Sequence, residues 1–218
     1  MKSSLAYADL RRFGRPVITT EEASLRLRAS RSAACRTLDR LAQAGLVTRL
    51  RRGLWLLVER PDPLALAEYV AAPFPAYVSL QTALYHHGLI TQVPGPIYAV
   101  TLGPTRRVRT SVGTFSLHRV VPEFFGGFRI GAGSDVPLAT PEKALCDVLY
   151  LTNARSRLFS RLPEVELPAG FSVPAARRWI RRCPSAARQS MMTRRLEEIL
   201  RRSPPRRAET GRAGRAGR

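Results

Sequence analysis

From Pro16 to Val58 the apolar positions first recur at helical spacing and then run almost unbroken through two short segments. Thr19 and Glu22 have the spacing of a capping box, which predicts a short helix beginning at Thr19 or Thr20. A second helix is predicted to start at Ser30, whose hydroxyl can accept an orphan amide. It stops at Gly45, the residue type that takes the left-handed conformation after a helix most easily. Its apolar side is a narrow stripe of Ala34, Leu38, Leu41 and Ala42. Residues 46–50 and 54–58 read as strands joined by Arg51-Arg52-Gly53, a three-residue loop with Gly at the position that favours positive φ. Ahead of these, residues 3–13 predict a helix offering Leu5, Leu10 and Phe13 to the same small core, ended by Gly14, Arg15 and Pro16. Helix, turn, second helix, Gly, hairpin is the order of a winged helix-turn-helix, expected over residues 1–60.

Pro61-Asp62-Pro63 is a rigid break and the expected domain boundary. Beyond it, residues 64–71 predict a helix closed by Pro73-Phe74-Pro75, and residues 79–88 a helix capped by Ser79 and closed by Gly88. Residues 97–101, 106–110 and 114–121 are strand-like, with Pro and Gly at 94–96, 103–104 and 113 expected as hairpin turns. Residues 136–140 then lead into a helix in which Thr140 is the N-cap, Pro141 occupies the first turn and Glu142 faces the positive end of the dipole. Ala144, Leu145, Val148 and Leu149 form its predicted buried face. Two more helices are expected near 174–182 and 185–202. The fold class is therefore α+β, a winged helix followed by a mixed α+β domain over 61–202. Residues 203–218 have almost nothing apolar to bury and are expected to be a disordered basic tail.

Charge changes this picture more than composition does. The 218 residues suit one or two domains and carry a net charge of +20. Residues 1–60 hold 13 basic and 5 acidic side chains, residues 61–150 hold 6 of each, and residues 151–218 hold 17 and 5. All but 2 of the 36 basic residues are arginine, a bias that codon composition partly explains. A uniform bias does not explain a neutral middle between cationic ends, which suggests polyanion contact by the ends and another task for the middle. Off the apolar stripe of the second helix lie Arg31, Ser32, Arg36 and Arg40, the positions that a helix set into a DNA major groove presents to bases and phosphates. Arg49, Arg51 and Arg52 place further cations on the hairpin. An isolated Arg-Arg-Gly is as readily a solvated loop; following a capped helix with arginines on its open face, it reads as a DNA contact. The expected partner is double-stranded DNA.

Other chemistries find little support. Cys35, Cys146 and Cys183 are far apart and show no CxxC spacing. His86 and His87 are adjacent, so on one helix they diverge by about 100° and cannot share a metal; one is expected half-buried and the other solvated. No metal and no cofactor is expected. Asp135, Glu142 and Lys143 could suggest a metal-dependent nuclease, but there the carboxylate and lysine stand two apart on a strand and point the same way, whereas Glu142 and Lys143 are adjacent at a helix start. Gly126-Gly127 and Gly131-Ala132-Gly133 lack the Gly-Lys-Ser/Thr of a phosphate loop and read as turns. No enzymatic activity is expected. No apolar run approaches a bilayer span and no signal-peptide core precedes the first helix, so a cytoplasmic protein without membrane association is expected.

Several blocks stand in the order of a known family. The predicted winged helix ends in Gly53-Leu54-Trp55; Tyr77-Val78-Ser79-Leu80 precedes Ala83-Leu84-Tyr85-His86-His87-Gly88-Leu89-Ile90; a strand ends at Val100-Thr101; and Ala139-Thr140-Pro141-Glu142-Lys143-Ala144-Leu145-Cys146-Asp147 follows. In these blocks, about three-quarters of the chain, the sequence resembles the AbiEi antitoxins, the repressor partners of type IV toxin–antitoxin (abortive infection) systems. The arginine-rich tail departs from that pattern. The resemblance implies an N-terminal domain that represses its own operon by binding inverted repeats in the promoter, as a monomer that binds cooperatively. It implies a C-terminal domain that counters a nucleotidyltransferase-like toxin without a stable complex. Lys143 and Asp147, an i, i+4 pair on a side the core does not need, read either as an exposed salt bridge or as the antitoxin surface. The alternative reading keeps the winged helix as an interaction or targeting module for a separate nucleic-acid-processing enzyme.

Overall fold

The computed structural model describes residues 3–59, 61–131, 134–152 and 164–203. It is an α+β protein with eight α-helices among the described residues and two β-sheets. The chain forms two compact units: unit 1 comprises Met1–Val78, Gly95–Arg119 and Ile130–Pro137, and unit 2 comprises Ser79–Pro94, Val120–Arg129 and Leu138–Arg218. The boundary expected at residue 60 falls inside unit 1. From residue 204 onward the expected tail lies outside the described residues.

Unit 1 begins with α1 (Ser3–Arg11), β1 (Val17–Thr19), α2 (Thr20–Arg26), α3 (Arg31–Gln43), β2 (Thr48–Arg51) and β3 (Leu54–Leu56). Leu10, Ile18, Ala23, Ala34, Leu38, Leu41, Val47, Trp55 and Leu57 form one buried cluster, with Tyr7, Leu27 and Ala42 packed against it. Leu5, expected in that core, is 59 % exposed, and Ala6 is buried instead. Because α1 ends two residues earlier than predicted, Phe13 lies beyond it, with the Arg15 guanidinium 5.0 Å above its ring. An unforeseen strand here is β1, which pairs antiparallel with β3 and completes a three-stranded sheet in the order β1-β3-β2. Three residues are too few to show a period, and Thr19 doubles as the cap of α2. Trp55 Nε1 donates to Thr20 Oγ1 at 3.0 Å, satisfying the one polar atom of the buried indole.

Unit 1 continues through a 3₁₀ turn (Pro63–Leu66), α4 (Ala67–Ala71) and β4 (Ala76–Val78), then takes up the chain again at β5 (Ile97–Thr101), β6 (Arg106–Thr110) and β7 (Gly113–Arg119). These strands lie in the order β6-β7-β5-β4. The β6–β7 hairpin turns over Ser111-Val112, with Gly113 at φ +141°. The expected hairpin at Gly103-Pro104 is absent: β5 pairs parallel with β7, so the chain crosses to the edge before returning. Gly103 earns its residue type by proximity, since a Cβ there would come within 2.5 Å of the Phe74 ring.

β8 (Phe128–Ile130) and β9 (Pro137–Ala139) each run across a change of unit. Unit 2 is built on α6 (Pro141–Leu151), which packs against α5 (Leu80–His86), α7 (Val173–Arg181) and α8 (Ala186–Arg202). Thr140 caps α6 as predicted, accepting from the Lys143 amide. Being surrounded, α6 buries every residue from Glu142 to Leu151, and the one-sided burial expected of it gives way to burial all round. His86 is exposed and His87 half-buried, with His87 Nε2 2.7 Å from the Ala139 carbonyl.

One buried histidine in unit 1 gives the fold a pH dependence. His118 lies 2.9 Å from Ser116 Oγ and stacks on Tyr98; burial foremost, and then the charge of Arg107, lower its pKa to about 4. Between pH 6.5 and 4 the unfolded chain binds a proton that the folded chain refuses, so stability falls as pH drops through that window and levels off below it. We expect the loss of stability between pH 7 and pH 4 to be smaller by roughly 3 kcal/mol in His118→Gln than in the parent. Denaturant unfolding of both proteins across the range checks this.

Candidate nucleic-acid interface

The candidate interface is built on α3. Ser30 Oγ accepts from the Ala33 amide at 3.2 Å, and Gly45, at φ +71°, ends the helix with its amide on the Ala42 carbonyl. Ala34, Leu38 and Leu41 are buried, which orients the opposite side outward. Arg31, Ser32, Arg36 and Arg40 are all exposed, as the stripe predicts. Their environments differ. Arg31 bridges to Glu21 at 3.2 Å, Ser32 Oγ lies 3.1 Å from Ser30 Oγ, and Arg40 donates to Thr37 Oγ1 at 3.3 Å. An exposed ion pair such as Arg31–Glu21 is worth little, so a phosphate can displace it readily.

The hairpin corrects part of the prediction. Arg51 pairs with Leu54 across the ladder, so the turn contains only Arg52 and Gly53, with Gly53 at φ +79°. The extra residue is absorbed by a register shift between Arg49 and Arg51, a bulge that the residue types alone do not announce. Arg52 is exposed at the tip. Arg49 is exposed with its guanidinium 5.2 Å above the Trp55 ring. Arg51 is half-buried; burial, and next the charge of Arg106, lower its pKa. Arg106 itself donates to the Val70 and Ala71 carbonyls at 3.1 and 3.2 Å, at the C-terminal end of α4.

Arg106 went unnoticed in the sequence because it lies in the neutral middle segment. Sorted by unit, that neutrality disappears: among the described residues unit 1 carries 15 basic and 8 acidic side chains, and unit 2 carries 11 and 7. Both units are cationic. The only signal in the sequence was the run Arg106-Arg107-Val108-Arg109, whose alternation marks an edge strand with one wet face.

The pair expected on an antitoxin surface is not on a surface. Lys143 and Asp147 are both fully buried and form an ion pair with each other. Asp147 Oδ2 also accepts from Ser79 Oγ at 2.7 Å, while the Lys143 ammonium lies 4.1 Å from the Phe124 ring centre and 4.9 Å from that of Trp179. Burial lowers the Lys143 pKa, and the charge and hydrogen bond of Asp147 oppose that shift. The i, i+4 spacing was right; the open side was not, because α5, α7 and α8 together leave α6 none.

Among the described residues no group of three or more His, Cys, Asp or Glu side chains is placed to hold a metal ion. No helix of the described residues is long and apolar enough to cross a membrane. No protein-family model matches the chain, and no curated protein matches it.

The buried pair has a mechanical consequence. Removing Lys143 alone leaves Asp147 charged and sealed from water, so Lys143→Ala is expected to destabilise the protein by about 3–5 kcal/mol. Thermal and urea unfolding check this; a loss below about 1 kcal/mol would show that water reaches Asp147.

Proposed function

We propose that this chain is a sequence-specific DNA-binding repressor that acts as the antitoxin of a type IV toxin–antitoxin pair. The carrying observation is that α3 buries Ala34, Leu38 and Leu41 while Arg31, Ser32, Arg36 and Arg40 stay exposed. In this reading α2 and α3 are a helix-turn-helix, α3 enters the major groove, and the β2–β3 hairpin is the wing that follows the adjacent backbone. Arg36 and Ser32 read bases, Arg31, Arg40, Arg49 and Arg52 contact phosphates, and Arg51 stands half-buried behind them. The antitoxin half of the proposal rests on the family-like blocks around Ser79–Ile90 and Ala139–Asp147. It assigns unit 2 the task of countering a nucleotidyltransferase-like toxin, through a surface other than Lys143 and Asp147.

For Arg36→Ala the expected outcome is a loss of roughly 1–3 kcal/mol in binding to the operator within the protein's own promoter, with an unchanged melting temperature. Gel shift and thermal melting decide it, and an unaltered operator affinity would remove Arg36 from base readout. Arg52→Ala should weaken operator and random duplex alike, and should flatten the slope of log K against log salt by about 0.9. A salt titration by fluorescence anisotropy measures that slope.

A further inference from the structure

Unit 2 has a cationic, aromatic-lined hollow that the proposed repressor function leaves unused. Arg178, Trp179, Arg181 and Arg182 line a cavity of about 440 Å³ on α7. Residues 178, 181 and 182 stand at i, i+3 and i+4, so one helix face presents all three guanidinium groups. All three are exposed, as is Arg177 beside them, and α7 contains no acidic residue. Among the described residues no carboxylate ion-pairs with any of the four. Such a concentration of like charge repels itself unless an anion joins it.

Trp179 sits within this charge as a held platform. A Cβ on Gly127 would lie 2.5 Å from the indole, so the ring rests directly on the backbone there. Phe124 meets the ring edge-on at 6.2 Å, and the Lys143 ammonium is fixed beside it by Asp147. The indole still lines the open cavity, with the Arg182 guanidinium stacked on it at 4.8 Å. A planar cation on an aromatic ring occupies the position that a planar nucleobase takes when it stacks.

We infer that this face of α7 binds unpaired nucleotides of a single-stranded nucleic acid, with a base stacked at Trp179 and flanking phosphates on Arg178, Arg181 and Arg182. Arginine alone would suit any polyanion. The ring at the centre favours a ligand whose base faces are free, which a duplex hides. Ribose and deoxyribose strands share this chemistry, so both belong in the test.

The experiment uses the full chain with fluorescein-labelled single strands of roughly 12 nucleotides, as ribo- and deoxyribo-oligonucleotides, and a duplex of the same sequence. The chain has two tryptophans, and Trp55 is only 1 % exposed, so quenching of indole emission by an unlabelled strand reports Trp179. We expect such quenching. We expect Arg178→Ala with Arg181→Ala to weaken single-strand binding at least tenfold and to flatten its salt slope by about 1.4, without changing the melting temperature. Trp179→Phe, which keeps a ring against Lys143, should weaken single strands several-fold and leave the duplex alone. Arg36→Ala should leave single-strand binding intact, which separates this site from the α3 interface. Absence of quenching, unchanged single-strand affinity in the double variant, or equal losses for strand and duplex in Trp179→Phe would each overturn the inference. A preference of the quenched complex for ribose or deoxyribose strands identifies the source of the ligand.

Discussion

Unit 2 depends on keeping two opposite charges out of water. A buried ammonium and carboxylate each lose several kcal/mol of hydration, and their attraction repays this only when the remaining polar atoms are satisfied. The surroundings of Lys143 and Asp147 follow from that constraint. Ser79 stands at the N-cap of α5, but its hydroxyl makes no cap bond; it donates to Asp147 instead. The next residue, Leu80, takes φ +55°, a conformation that costs a branched L-residue about 1–2 kcal/mol. The start of α5 thus gives up a cap and an easy backbone to complete the shell around one carboxylate. Phe124 and Trp179 wall the ammonium, and Gly127 leaves room for the indole to reach it. The same contacts that neutralise the pair therefore fix the ring that lines the α7 hollow.

In unit 1 the governing constraint is the narrow stripe of α3. Small and branched residues on one side let α1, α2 and the hairpin close over it, and the closure leaves the other side without apolar partners. Arginine tolerates such a side well, since its stem lies along the helix while its charge stays in water. Helix orientation and a cationic outer side are thus two results of one pattern. The Trp55–Thr20 hydrogen bond and the Thr20 amide on the Gly53 carbonyl at 3.0 Å tie the hairpin to the start of α2. This fixes where Arg49 and Arg52 stand relative to Arg36 within the unit.

What the sequence made legible was local. The Thr19–Glu22 capping box, the Ser30 and Thr140 caps and the Gly45 stop are written in adjacent residues, and each forms as read. The exposed face of α3 was legible for the same reason, because a stripe this narrow has one opposite side. Non-local facts were not. The parallel pairing of β5 with β7 lies in no turn residue, and a β-bulge decides whether Arg51 belongs to strand or loop. Lys143 and Asp147 show the limit most clearly: spacing predicted that they meet, but whether they meet in water depends on helices about 30–60 residues away in the chain.

The charge census makes the same point with a functional consequence. Counted along the chain, the middle segment is neutral, and neutrality argues against a nucleic-acid surface there. Folding does not respect that segment: it sends β6 with its arginines into unit 1 and places α6, with Glu142, Lys143 and Asp147, inside unit 2. Lys143 and Asp147 cancel each other in the interior and contribute almost nothing to the field outside. The four arginines at positions 177, 178, 181 and 182 have no such partner among the described residues and remain in water. Two side chains of equal formal charge can thus differ completely in what a polyanion feels, depending on whether a counter-charge is buried beside them. The electrostatic face of unit 2 is accordingly that of α7 and α8 rather than of the helix at its centre, and a search for its ligand belongs on α7.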